Sequence, residues 1–190
     1  MEKFSKVKKR YNIDKSNDKN VQYDDNYIKV VSYEDWSIVS EKDVVVCIPY
    51  FIETNQFIIR NEYVPTYKYR DKSEYHVTIL AGTIEDNESP EDTLFRELQE
   101  EAGLVLRDDY KFDINPPLFV SKGNTSKYYY CIVPLTERDY HEVLIKGDGS
   151  KVEKMSKTVK VDVKYINSIM VSDLITKFML EEFKKYLNLE

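Results

Sequence analysis

The stretch AGTIEDNESPEDTLFRELQEEAGL, residues 81–104, sets six glutamates and two aspartates around two glycines, and its reading decides the fold. Ser89 is a good helix N-cap, and Pro90 suits the first helical position, where no backbone N–H is required. Glu91 and Asp92 bring negative charge to the positive end of the helix dipole, and Gly103 can close the helix. These signals predict a helix over Pro90–Ala102. On a wheel of about 100° per residue with Glu97 at zero, Glu101 falls at about 40° and Glu100 at about −60°. Leu94, Leu98 and Ala102 fall between about 60° and 140°, so three acids share one face beside the core-facing stripe. A solvated acidic face is the simplest account. Crowded carboxylates, however, raise one another's pKa and are costly without a cation, and a hard divalent cation takes carboxylate, water and phosphate oxygens.

Around this helix the chain reads mostly as strands. Short apolar or alternating runs, VQYDDNYIKVVSY, WSIVS, VVVCIPYFI, QFIIRNEYV, EYHVTIL, KYYYCIVPL and TVKVDVKYI, are separated by acidic or amide-bearing turns and predict a mostly antiparallel set. A second helix is expected at about 172–186, with Leu174, Phe178, Phe183 and Leu187 forming the apolar stripe that covers a sheet. Strands, helix, strands, helix make an α+β fold or αβα sandwich. A chain of 190 residues suits one core, which places a domain at 21–190 behind a polar, basic tail at 1–20. Residues 21–42 look like extra strands ahead of the core.

Charge separates the tail from the body. The chain holds 28 Lys/Arg against 34 Asp/Glu, a net −6; residues 1–20 hold seven basic and three acidic residues, which leaves −10 for the remainder. An acidic body argues against general nucleic-acid binding. No run reaches the eighteen or so apolar residues of a membrane span, and the start lacks the apolar region of a secretory signal, so a cytoplasmic protein is expected. Cys47 and Cys131 lie within apolar runs and read as buried free thiols.

Spacing turns the acidic face into a specific pattern. From Gly82 the sequence runs G-x5-E-x7-R-E-L-x-E-E-x-G-L, through Gly82, Glu88, Arg96, Glu97, Leu98, Glu100, Glu101, Gly103 and Leu104. An accidental match of this kind is expected on the order of once in ten million such chains. The pattern resembles the Nudix box, with every specified position filled, and the flanking strands and C-terminal helix are similar to the Nudix αβα sandwich with its mixed central sheet.

The resemblance implies a divalent-metal-dependent hydrolase of a nucleoside diphosphate linked to another group, using Mg2+ or Mn2+. It implies Glu97 and Glu101 as metal ligands, Glu100 as a further or water-mediated ligand, and the carbonyl of Ala81 as another. Glu88 would brace the site through Arg96, and Gly82 would allow a tight turn over the helix. The general base of the family is a box glutamate or an acid between the last strands. Glu153 is the first such acid to test, with Glu142 and Asp148 behind it, and His141 is a weaker candidate still.

Upstream, FIIRNEYVPTYKYRDKSEYHVTILAG resembles the ADP-ribose pyrophosphatase-like branch, although Val64 and Leu80 replace that branch's arginine and proline. Lys122 likewise stands at the proline position of a downstream turn. ADP-ribose or a nucleotide sugar is the leading small-molecule substrate. A dinucleoside polyphosphate, a nucleoside triphosphate, or a non-catalytic nucleotide sensor are the alternatives. Arg60, Arg70 and Lys122 are candidates for phosphate contact and Tyr63 or Tyr67 for stacking a base. In such relatives the extra N-terminal strands help build a homodimer, which is the expected assembly.

Overall fold

Every second residue of a strand faces the same side of its sheet, and in the central strands around residues 44–59 that alternation sends apolar side chains to helices on opposite faces. The structure, a computed structural model, describes residues 21–25, 28–71, 73–145 and 154–189. The basic tail, Asp148 and Glu153 lie outside the described residues. The chain divides into two units, Met1–Asp43 with Leu118–Tyr128, and Val44–Pro117 with Tyr129–Glu190.

In the first unit, β1 (Val21–Asp24), β2 (Lys29–Tyr33) and β3 (Trp36–Ser40) form an antiparallel three-stranded sheet in that order. Glu34 takes a left-handed φ of 52° in the tight link between β2 and β3. These are the extra N-terminal strands expected from the sequence. The returning segment is tied to β3 by Val39 N–H donating to the Gly123 carbonyl (2.8 Å) and Thr125 N–H donating to the Val39 carbonyl (2.9 Å). Buried Ser126 donates its hydroxyl to the Lys42 carbonyl at 2.7 Å.

The second unit is built on β4 (Val44–Phe51), β5 (Gln56–Tyr63), β6 (Tyr75–Thr78) and β7 (Leu80–Thr83), then β8 (Leu104–Leu106), most of β9 (Asn115–Phe119) and of β10 (Lys127–Leu135), β11 (Tyr140–Glu142) and β12 (Lys157–Asp162). The main sheet runs β12-β5-β4-β10-β9, with β6 beside β5 and β7 beside β4, while β11 and β8 form a separate ribbon. β5 pairs antiparallel with β4, β6 and β12. The box helix, α2 (Pro90–Ala102), lays Leu94 and Leu98 on Val45, Cys47, Ile58, Leu80 and Val133. On the other face, Tyr50 and Phe57 meet Phe183 of α3 (Leu174–Tyr186), with ring centroids 5.3 and 5.1 Å apart. The result is the expected αβα sandwich. Each fully buried Leu or Phe at these contacts contributes about 1.5–3 kcal/mol. Both cysteines are free and buried, and burial pushes the Cys131 thiol up to about 12.

Five details depart from the sequence reading. The apparent strand through residues 158–166 ends at Asp162, whose side chain accepts from Lys164 N–H at 3.0 Å and caps a 3-10 helix over Val163–Ser168. The buried face of α3 is Thr176, Met179, Leu180 and Phe183, while Leu174 is left exposed. Asp173 caps this helix through Thr176 N–H at 2.7 Å, so its first turn begins later than expected. A short helix, α1 (Pro65–Asp71), occupies the link between the runs QFIIRNEYV and EYHVTIL, where the sequence reading assigned no element. Finally, Gly82 lies within β7 and has no left-handed φ, so a tight turn is not what requires it.

Candidate active site

The local order of the box begins at its cap. Ser89 Oγ accepts from Asp92 N–H and the Asp92 carboxylate accepts from Ser89 N–H, both at 3.1 Å, closing a capping box around the first turn of α2. Gly103 ends the helix at a φ of 66°, where a Cβ would stand 2.5 Å from the Val143 carbonyl. Between these two stops, the acids of α2 emerge along the edge of the core stripe that holds Leu94 and Leu98.

Arg96 is the hub of one part of this face. Its Nε and Nη2 donate to the two oxygens of Glu88 at 2.9 and 3.1 Å, Nη1 donates to Glu97 (2.6 Å) and Glu100 (3.1 Å), and Nη2 also reaches the Thr83 carbonyl at 3.0 Å. The planar guanidinium thus spans a loop acid, two helix acids and the end of β7. Glu88 further accepts from Thr93 Oγ1 at 2.8 Å and Glu85 N–H at 3.2 Å. The Arg96 guanidinium is the largest influence holding the Glu88 carboxyl down, from an ordinary 4.5 to about 2. The carboxylates raise the pKa of Arg96 in turn.

Glu97 is buried and lies directly over Gly82, where an added Cβ would overlap its side chain. Gly82 therefore clears space for a carboxylate, and that replaces the turn expected of it.

Arg60 holds the other part of the face. It sits on β5 at 5 % exposure, on the same side of the strand as Ile58, and its Nη1 pairs with Glu101 Oε1. Glu101 is also buried, and its Oε2 has no hydrogen-bond partner among the described residues. Thr158 of β12 stands opposite Arg60 in register and donates its hydroxyl to the Glu101 carbonyl at 2.6 Å, tying the last turn of α2 to the sheet. Sequence reasoning placed Arg60 on a phosphate and missed both this pairing and Thr158. The available signal was the inward phase of an arginine within the run Phe57-Ile58-Ile59.

Three carboxylates within two turns suit a hard divalent cation, and a buried carboxylate oxygen without a hydrogen bond is the type of atom such a cation would satisfy. With the carboxylates turned onto Arg96 and Arg60, no three His, Cys, Asp or Glu side chains among the described residues converge as a ready-made metal cluster. The donor set fits a metal, and Glu97 and Glu100 would have to turn from Arg96 to share one. Ala81 lies on β7, opposite Val46 in register.

The remaining sequence candidates are dispersed. Tyr63 ends β5, its ring 6.0 Å from that of Tyr75 and 5.6 Å from Lys68 Nζ, so its surroundings are already aromatic and cationic. Tyr67 of α1 packs on His76 with centroids 4.3 Å apart, and burial is the main cause of its raised pKa. Arg70, in the last turn of α1, is exposed, as is Lys122, in a turn of the first unit. Glu142 is paired with Lys160 Nζ at 2.6 Å, and His141 is exposed on β11.

Comparison with known proteins agrees with this architecture. The NUDIX domain family model matches residues 42–157. A solved structure described as an ADP compounds hydrolase superposes with a TM-score of 0.63 at 15 % identity, covering 88 % of this chain and 90 % of that one. At that identity the likeness speaks for the fold. The curated proteins yield no match. The family match spans most of the second unit together with the complete Glu88–Arg96–Glu97–Glu100–Glu101 constellation, and on that ground the chain belongs to the Nudix family and is a hydrolase of phosphorus-containing anhydrides.

Proposed function

We propose that the protein cleaves the diphosphate of a nucleoside diphosphate linked to another group, with ADP-ribose or a nucleotide sugar as substrate. The observation that carries this reading is the acidic face of α2, complete in every box position and braced by two arginines. Glu97, Glu100 and Glu101 would hold Mg2+ or Mn2+. When bound, the cation would neutralise diphosphate charge and lower the pKa of the attacking water. Arg96 orients Glu97 and Glu100 and is itself held by Glu88, so these two residues position ligands and do not contact the substrate. Arg70, Tyr63 and Lys122 stay as proposed substrate contacts. Glu153 is the acid to substitute first in search of the base, because Glu142 is already engaged by Lys160.

The test is a panel of nucleotides incubated with the protein and Mg2+, its products separated by chromatography. Release of AMP from ADP-ribose or a related compound is expected, and Glu101→Gln should reduce it by roughly a thousandfold or more, the scale of losing a group that acts on the developing charge. Tight binding of a nucleotide without turnover across the panel would replace this reading with that of a nucleotide sensor.

A further inference from the structure

The two oxygens of Glu101 have different surroundings. Oε1 is held by a buried guanidinium from β5, and Oε2 is buried with no hydrogen-bond partner among the described residues. The Glu101 backbone is restrained as well, because Thr158 Oγ1 donates to its carbonyl from β12. Arg60 and Thr158 are register partners, so one rung of the β5–β12 ladder fixes both ends of the same glutamate. This differs from Arg96, which spreads over Glu88, Glu97 and Glu100 from a half-buried position.

The geometry points to Arg60 as the positioning residue of Glu101: it engages Oε1 so that Oε2 is presented to a divalent cation, and it contacts neither the substrate phosphates nor the cation itself. The inference rests on the proposed metal-dependent reading of the same helix. A ligand whose second oxygen is already hydrogen-bonded loses less freedom when it coordinates, which is why partners behind metal ligands commonly set 10–100-fold of affinity. Lysine at this position would supply a point charge without the rigid fork of arginine and should restore only part of the effect.

Manganese affinity provides the test, measured without substrate by titration with Mn2+ and following the free ion by electron paramagnetic resonance. Arg60→Met is expected to bind Mn2+ roughly 10–100-fold more weakly than the wild-type chain, with Arg60→Lys between the two. If Arg60→Met does not fold, Arg60→Lys and Arg60→Gln carry the same comparison, with circular dichroism as the check on structure. Variant affinity within twofold of wild type, together with a raised KM for the nucleotide, would overturn the assignment and make Arg60 a phosphate contact. Failure of the wild-type chain to bind Mn2+ would instead remove the metal-dependent reading from which the inference starts, and the inference with it.

Discussion

Arg96 and Arg60 do the same chemical task on the same acidic face in opposite physical settings. Arg96 has a side chain 30 % exposed and divides its donors among three carboxylates and a backbone carbonyl. Arg60 has a side chain 6 % exposed, facing a carboxylate that is 7 % exposed. A shared, partly wet network tolerates the loss of one member because water and the remaining partners compensate. A buried pair does not, since removing one ion leaves its partner desolvated and uncompensated. The face thus combines an adjustable half, Glu97 and Glu100 on Arg96, with a fixed half, Glu101 on Arg60.

The largest expected effect compares the two arginines directly. Arg60→Ala should cost about 3–5 kcal/mol in urea denaturation, the range for breaking a buried ion pair. Arg96→Ala should cost about 1–2 kcal/mol, and its loss should shrink as salt is raised from low to molar concentration. Equal losses in the two variants would erase the distinction between a fixed and an adjustable half.

Gly82 sharpens the comparison from the sheet side. A methyl group there would overlap Cγ, the carboxyl carbon and Oε1 of Glu97, so the side chain would have to leave its position over the sheet. Gly82→Ala should therefore cost about 1–3 kcal/mol of stability by overpacking. It should also lower kcat by roughly a hundredfold, the scale of a 1 Å displacement of a reacting group. A thermal melt and a single kinetic series are enough to check both. Wild-type turnover in Gly82→Ala would mean that Glu97 has another productive position.

How much of this was legible in the sequence follows the distance over which each feature is encoded. Ser89, Pro90, Asp92 and Gly103 are local signals, and the helix they bound was readable to the residue. The wheel also placed Glu97, Glu100 and Glu101 beside Leu94 and Leu98, as observed. The pairing of Arg60 with Glu101 joins a strand to a helix 41 positions later, and no local pattern expresses it. The helix over Pro65–Asp71 was missed because PTYKYRD has one half-buried residue among exposed neighbours and no apolar period. The strand over 157–162 was read too long because Val161, Val163 and Tyr165 continue its alternation, and only the capping of Lys164 N–H by Asp162 stops it.

The smallest effect tests what holds the adjustable half together. The Glu88 carboxyl has a folded-state pKa of about 2 against an ordinary 4.5, chiefly because Arg96 donates to it. A depressed folded-state pKa means that the ionised form is favoured by folding. The resulting stability is fully present above about 4.5 and is lost as pH falls toward 2. Because Glu88 is partly solvated, screening reduces the contribution to below about 1 kcal/mol. Glu88→Gln should accordingly melt slightly below wild type at pH 7, and the gap should close as pH is lowered through 4 and 3. The corresponding gap for Arg60→Ala tests a pair shielded from water, and at pH 7 it should be several times larger and little affected by salt. If the Glu88→Gln gap is instead constant across that range, the glutamate braces Arg96 through hydrogen-bond geometry that glutamine can reproduce only in part, with charge contributing little.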